Sequence, residues 1–232
     1  TYFRRYASGP DRPADLCSPP GKEIGLMFHV KQFQEATGVS AETLDRLQTY
    51  ADLLVKWQKK INLVGGKTLD ELWLRHMLDS AQLFPLLPKP DSSIIDFGSG
   101  AGFPGLVLAI LGSPKVTLVE SDGRKCAFLA EAMRATKTGP SVRLENRRIE
   151  DIGPFQVDVV TSRALAPLDK LLTLAETFVD EKTVCLFLKG KKADEELTET
   201  EKNWMMQVSK IQSQSDPSGT ILKLESISRR DD

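Results

Sequence analysis

Read as a pattern of apolar and polar positions, the chain changes character near residue 27. Before it, Pro10, Pro13, Pro19 and Pro20 alternate with Gly, Asp, Arg and Ser without any apolar period, which predicts a disordered tail over residues 1–26. Met27, where ordered patterning begins, is a candidate start of the native chain. Beyond it, Leu44, Leu47, Leu54, Trp57 and Ile61 recur at helical spacing behind Ser40, a good N-cap, and predict one long amphipathic helix. Its basic end, Lys56-Trp57-Gln58-Lys59-Lys60, is broken by Asn62-Leu63-Val64-Gly65-Gly66. Thr68-x-x-Glu71 has the form of a capping box and predicts a second helix to about Leu83, stopped by Pro85, Pro88 and Pro90. Residues 27–90 thus read as an N-terminal helical extension.

From residue 91 to 232 the periodicity alternates. Short apolar runs predict strands near 93–97, 115–119, 142–145, 156–161 and 183–188. Between them, helical patterns fall near 104–111, 123–136, 168–178 and 191–203. Such alternation predicts an α/β fold with a parallel sheet covered by helices on both faces. Two late apolar segments, Met205 to Ile211 and Thr220 to Ile227, flank Asp216-Pro217-Ser218-Gly219 and read as an antiparallel hairpin. The sheet is therefore expected to be seven-stranded and mostly parallel.

Composition narrows the picture by exclusion. With 232 residues, 41% hydrophobic and 27% charged, the chain suits one globular domain with an appendage. The net charge of −1 does not announce a nucleic-acid partner, so RNA binding must rest on local patches. The candidates are Lys56, Lys59 and Lys60, then Arg147 and Arg148, then Lys189, Lys191 and Lys192. Three scattered cysteines (Cys17, Cys126, Cys185) and two histidines (His29, His76) argue against a zinc site or disulfide framework; no metal is expected, and a cytoplasmic, reducing location is the default. No apolar run is long enough to span a bilayer, so no membrane partner is expected, and a monomer is.

The candidate chemistry sits where the first predicted strand ends. Ser93-Ile94-Ile95-Asp96-Phe97 runs into Gly98-Ser99-Gly100-Ala101-Gly102-Phe103-Pro104-Gly105, and the next strand, Val116-Thr117-Leu118-Val119, ends in Glu120. Glycines after a strand let a ligand touch backbone, and an acid after the second strand can take ribose hydroxyls. Two patterns compete. Gly100 to Gly105 satisfies the dinucleotide form G-x-G-x-x-G; Gly98 to Gly102 satisfies G-x-G-x-G, the S-adenosylmethionine form. Register favours the second, because the first glycine after the strand is Gly98. Charge favours it too: Asp96 would repel a pyrophosphate at this helix start but suits an ammonium and a sulfonium. Pro104 is expected in the first helical turn. Five parallel strands with a terminal hairpin is the Rossmann-like plan of class I methyltransferases, not the doubled halves of a dehydrogenase.

An ordered set of motifs then carries a resemblance to a family. Asn62-Leu63-Val64, Arg75-His76-x-x-Asp79-Ser80, Asp96-x-Gly-Ser-Gly-Ala-Gly-Phe-Pro-Gly, Glu120-Ser121 with Lys125 and Phe128-Leu129, Arg148-Ile149-Glu150-Asp151, Ser162-Arg163-Ala164 and Leu188-Lys189-Gly190 follow in that order. This resembles RsmG, also called GidB, the bacterial methyltransferase of N7 of a guanine in 16S ribosomal RNA, over residues 30 to about 227. The resemblance implies S-adenosylmethionine as cofactor and 16S rRNA or the small ribosomal subunit as partner. It carries cofactor contacts onto Gly98, Phe103, Ile149, Glu150 and Arg163; the glycine loop adds Asp96, Gly100 and Gly102, and the wider fold adds Glu120. It also suggests substrate contacts at Asn62, Arg75, His76, Asp79, Ser80 and Lys189.

The fourth strand ends in Thr161-Ser162-Arg163-Ala164, not in the Asp/Asn-Pro-Pro-aromatic sequence of amine methyltransferases. Arg163 is the expected residue at the reacting centre, either fixing a donor carboxylate as a point charge or, the favoured role, making a planar, two-pronged contact with guanine O6 or an RNA phosphate. Neither Cys126 nor Cys185 sits where a pyrimidine carbon-5 enzyme needs its nucleophile. Guanine N7 has a free lone pair, so the absence of a catalytic dyad agrees with alignment and electrostatics alone. Arg124 and Lys125 open a helix against its dipole, which favours an anionic partner there. Trp57 is expected in the core. Two alternatives stay open: an NAD-dependent Rossmann oxidoreductase, and a methyltransferase-fold RNA-binding or assembly protein without turnover.

Overall fold

The computed structural model describes residues 30–230; the expectations for the tail over 1–26, for Met27 and for His29 lie outside the described residues. A seven-stranded sheet runs in the order β3-β2-β1-β4-β5-β7-β6. The strands are β1 (Ser93–Phe97), β2 (Lys115–Val119), β3 (Val142–Glu145), β4 (Val159–Arg163), β5 (Val184–Lys189), β6 (Trp204–Gln212) and β7 (Thr220–Arg229). β1 to β5 are mutually parallel; β7 pairs antiparallel with both β5 and β6. The direction of chain winding reverses between β1 and β4, where open α/β sheets form their ligand crevice.

Helices α5 (Gly105–Ile110), α6 (Gly123–Ala135), α7 (Leu168–Ala175) and α8 (Ala193–Thr200) lie where the periodicity predicts them, each shorter than its apolar pattern. β4 is the strand that moves. Val157 is buried like a strand residue, but its N–H bonds Phe178 O outside the ladder. The strand instead continues through polar Ser162 and Arg163, paired with Phe97 of β1 and Leu188 of β5. Its working end is polar, so an apolar run misplaces it.

The extension departs further from its sequence pattern. α1 (Val30–Thr37), which the periodicity does not reveal, buries Phe33 edge-on against Trp73 at 5.3 Å. α2 (Ala41–Gln58) is capped by Ser40, whose side chain accepts from Thr43 N at 3.1 Å. Gln58 closes its end by accepting from Leu63 N and Val64 N.

The predicted second helix is three pieces: α3 (Gly66–Leu69), a π-helical turn (Trp73–Leu78) and α4 (Asp79–Ala81). The capping box does not form. The Thr68 hydroxyl donates to Gly65 O at 2.8 Å and meets the His76 ring, while Glu71 lies ahead of the π turn and uses its carbonyl to accept from Leu74 N and Arg75 N. π turns are rare and frequently lie at functional sites; here the turn carries Arg75 and His76.

The sheet has a core on each face. One cluster gathers Ile95, Phe97, Val160, Leu171, Phe178 and Phe187. The other joins Ile94, Leu106, Leu118 and Phe128 to Leu47, Tyr50, Leu54 and Met77 of the extension. The extension has no separate core. It completes the sheet domain's own, with Trp57 set edge-on against Phe128 at 5.8 Å and Arg46 Nε bonded to Thr136 O at the end of α6. No helix among the described residues is long and apolar enough to cross a membrane.

Where α5 leaves the glycine loop, helix and sheet nearly touch. A Cβ on Gly105 would lie 2.4 Å from Leu118 Cδ2 and 2.8 Å from Asp96 Cβ. Gly105→Ala should therefore cost about 1–3 kcal/mol by overpacking, read from denaturant unfolding; wild-type stability in that variant would show that the helix can lift off the strand freely.

Candidate functional site

The glycine loop hangs from the end of β1 between two acids. Asp96 is fully buried beneath it. One carboxylate oxygen accepts from Thr161 Oγ1 at 2.8 Å and the other from Gly105 N at 3.3 Å. Burial pushes its pKa up to about 6, against the opposing pull of these hydrogen bonds and of Arg163. Asp96 is not among the residues lining the adjacent cleft. Its carboxylate braces the loop from below through these two bonds. Glu120 stands on the open side. Its two oxygens accept from Gly100 N at 2.9 Å and from Asp122 N at 2.8 Å, and each keeps a lone pair for a further donor.

These elements enclose a cleft of about 320 Å³ that includes Gly98, Gly100, Glu120, Ile149, Glu150 and Arg163 in its lining. Gly98 holds φ +63, and a Cβ there would lie 2.6 Å from Leu165 Cδ1; only glycine fits both constraints. Ile149 and Glu150 sit on a single 3₁₀ turn (Ile149–Asp151) after β3, Ile149 buried and Glu150 exposed. Phe103 is buried and lies outside this lining; its ring instead packs against Tyr50 at 5.3 Å and His76 at 5.0 Å.

Arg163 ends β4 with only 18% of its side chain exposed. Nη1 donates to Arg75 O at 3.1 Å and lies 3.5 Å from Asp79 Oδ2; Nη2 meets His76 Nδ1 at 2.8 Å. The guanidinium carbon stands 4.9 Å over the centre of the Phe103 ring. In this structure the Arg163 fork is occupied by partners of the chain itself, not by a ligand.

Since Arg163 can only donate, His76 Nδ1 accepts, and the ring proton sits on Nε2, facing Thr68 Oγ1 at 2.8 Å. Burial, then the charges of Arg163 and Arg75, lower the His76 pKa to about 3. His76 is thus a neutral acceptor that aims Arg163.

A second cavity of about 480 Å³ lies on the other side of the β4 loop, with Arg75, Asp79, Lys189, Glu196 and Asp216 among its lining residues. Arg163, Ala164, Leu165 and Ala166 line both spaces. Ala164 holds φ +53, a strained conformation at the start of this shared wall. The rest of the wall is tied down by Lys189, whose Nζ bonds Ala166 O at 2.8 Å and Glu196 Oε2 at 2.7 Å. Glu196 also accepts from Leu168 N at 2.8 Å. Across the cavity, Arg75 pairs with Asp216 at 2.8 Å, and Asp79 accepts from Ser215 Oγ at 2.6 Å, so the β6–β7 turn is clamped to the π turn.

Of the suggested substrate residues, the second cavity gathers Arg75, Asp79 and Lys189. It excludes three. Ser80 is fully buried and donates to His76 O at 2.7 Å. His76 serves Arg163. Asn62 is exposed on the loop after α2, accepting from Gln58 at 3.3 Å. The sequence reading missed Leu165, Asp216 and Tyr50; for Tyr50 a signal existed, since Leu47, Tyr50 and Leu54 share one helical face. Around the site, Lys56, Lys59, Lys60, Arg148, Lys191 and Lys192 are exposed, and none of them has an ion pair among the described residues. Arg147 is paired with Glu145 at 2.9 Å. Asp122 caps α6, accepting from Arg124 N and Lys125 N, with Arg124 3.6 Å away, and so offsets the dipole cost expected at that helix start.

No group of three or more His, Cys, Asp or Glu residues suited to a metal occurs among the described residues. Cys126 and Cys185 are buried free thiols.

Solved structures of the same fold include TYW2 of P. horikoshii in complex with MeSAdo (TM-score 0.51, 17% identity, 66% of this chain and 62% of that one). TYW2 of M. jannaschii in complex with AdoMet also shares it (TM-score 0.51, 14% identity, 74% and 80%). Among sequences, the ribosomal RNA small subunit methyltransferase G of Paramagnetospirillum magneticum is 56% identical over 193 residues, 83% of this chain and 93% of the relative. That of Rhodospirillum rubrum is 54% identical over 191 residues, 82% and 94%. The profile of GidB, rRNA small subunit methyltransferase G, matches residues 43–221. The glycine loop, the acid Glu120 after the second strand and the seven-stranded sheet thus sit within a sequence that belongs to the rRNA small subunit methyltransferase G family.

Proposed function

We propose that this chain transfers a methyl group from S-adenosylmethionine to N7 of a guanine in 16S ribosomal RNA. The target nucleotide is turned out of its stack into the cavity beside Arg163. The observation that carries this reading is the shared wall, Arg163 to Ala166, which lines both spaces. A donor in one and a base in the other would have these four residues as common neighbours.

The chain's groups suit that donor. Glu120 offers oriented oxygens for ribose hydroxyls, Ile149 an apolar face for adenine, and Gly98 a stretch of backbone without a side chain. Bound there, S-adenosylmethionine would supply an electrophilic methyl on a positively charged sulfur. Because N7 keeps its lone pair at neutral pH, no side chain has to remove a proton, and none in the site is poised to: His76 is neutral with both ring nitrogens engaged. The chain's work is alignment. The methylated base is a cation; Asp216, Asp79 and Glu196 around its cavity are each already paired with a cation, Arg75, Arg163 and Lys189, so the lining is balanced in charge.

The unpaired lysines at the end of α2 and after β5 are candidates for RNA phosphates. One chain builds both spaces, as a monomer in the cytoplasm, where its ribosomal substrate resides, would require. Mass-spectrometric mapping of 16S rRNA from cells with and without the gene tests the reading. Loss of one 7-methylguanosine supports it, and an unchanged map overturns it.

Glu120→Ala should weaken donor binding by about 2–4 kcal/mol, since charge-assisted hydrogen bonds to both ribose hydroxyls go with the carboxylate; calorimetry showing wild-type affinity would contradict the ribose role. Arg163→Lys should lose most methyl transfer while remaining folded, because an ammonium cannot bridge Arg75 O, His76 and Asp79 in one plane; near-wild-type turnover at saturating donor and RNA would reduce Arg163 to a point charge. The His76 pKa of about 3, below its ordinary 6.5, means that the unfolded chain binds this proton more tightly between those values. Stability therefore gains from His76 as pH rises through that window. In urea unfolding, His76→Gln should show a smaller rise over the window than wild type, and an identical pH profile would mean that the ring titrates freely.

A further inference from the structure

The helical extension reaches the glycine loop from behind. Tyr50, in the middle of α2, is fully buried. Its hydroxyl donates to the carbonyl of Ala101, inside the loop. Its ring packs on Phe103 at 5.3 Å and stacks on Phe128 of α6 at 6.2 Å. The next loop residue, Gly102, holds φ +96, and a Cβ there would lie 2.9 Å from the Tyr50 hydroxyl oxygen. Gly102 thus lacks a side chain where Tyr50 needs the room. α2 cannot slide away to relax this contact, since Arg46 ties it to Thr136 O at 2.8 Å and Trp57 Nε1 to Glu131 at 3.1 Å, both in or beside α6.

We infer that Tyr50 is a positioning residue for the methyl donor. By holding the Ala101 carbonyl, it sets the path of the Gly98–Gly102 loop, so the extension forms the back wall of the donor site. The inference rests on the donor reading above. Loop conformation decides where Gly98 and Gly100 meet a ligand, and Gly100 N in turn orients Glu120. Removing the hydroxyl leaves a buried carbonyl unpaired, and the loop is then free to turn that carbonyl elsewhere. The ring contacts to Phe103 and Phe128 would remain in Tyr50→Phe.

The test is Tyr50→Phe, with S-adenosylmethionine and S-adenosylhomocysteine titrated calorimetrically into folded protein well below its melting temperature. The expected result is a dissociation constant raised about tenfold, the scale of one buried hydrogen bond lost. In steady-state assays on small ribosomal subunits, KM for the donor should rise while KM for the subunit stays unchanged, and amide exchange in residues 98–103 should speed up. A merely structural Tyr50 would lower the melting temperature but leave the donor affinity of the folded protein unmoved; that result overturns the inference. Gly102→Ala provides a second variant. It should weaken donor binding in the wild-type background and less so alongside Tyr50→Phe, where the hydroxyl is gone; strictly independent effects would also overturn the inference. If the wild-type protein binds neither compound, the donor reading itself fails, which is a distinct outcome.

Discussion

One guanidinium joins the parts that must meet for methyl transfer. Arg163 ends the strand at the sheet's topological switch, and its planar fork reaches the Arg75 carbonyl, the His76 ring and the Asp79 carboxylate while its carbon sits over Phe103. Sheet, π turn and glycine loop therefore share one cation. A largely buried charge is tolerable only when its partners are complete, and here each partner is itself held. His76 is held by Thr68, Asp79 by the serines of the β6–β7 turn, and the π turn by the Arg75–Asp216 pair. The strain at Ala164 immediately after Arg163 is maintained by the Lys189–Glu196 latch at the far end of the same loop.

The glycine loop is governed from three directions. Asp96 holds its exit to α5 from below, Glu120 holds Gly100 from the open side, and the extension presses from behind through Tyr50. Ligands that need only backbone and a carboxylate are well served by such a loop, because little has to be reorganised on binding. The same arrangement explains why no conventional acid–base pair occurs in the site. Asp96, His76 and Asp79 are engaged in holding other groups in place, while Glu150 at the cleft is exposed.

Much of the architecture was legible in the chain. Alternating apolar runs define seven strands and four of the helices, and the position of the first glycine after β1 separates a methyl-donor loop from a dinucleotide loop. Glu120, Gly98 and Ile149 line one cleft, because each lies in a segment just past a strand end and strand ends are readable in the sequence. The failures share a cause. β4 runs on through polar Ser162 and Arg163 beyond its apolar run, and Thr68 and Glu71 do not form the capping box that their spacing predicts. In each case local sequence offered a familiar partner, and a residue far along the chain took its place.

The sequence by itself determined the periodicities, the turn positions and the backbone freedom of the loop, since these follow from side chains within a few residues of one another. Tertiary structure alone decided which polar groups point where. Thr161 and Gly105 hold Asp96, burial and Arg163 together keep His76 a neutral acceptor, and the β6–β7 turn, some 135 residues further on, claims Asp79. The physical reason is that a buried polar group takes whatever partner the packed chain brings within hydrogen-bond reach. That identity is set by the meeting of distant segments and leaves no local trace.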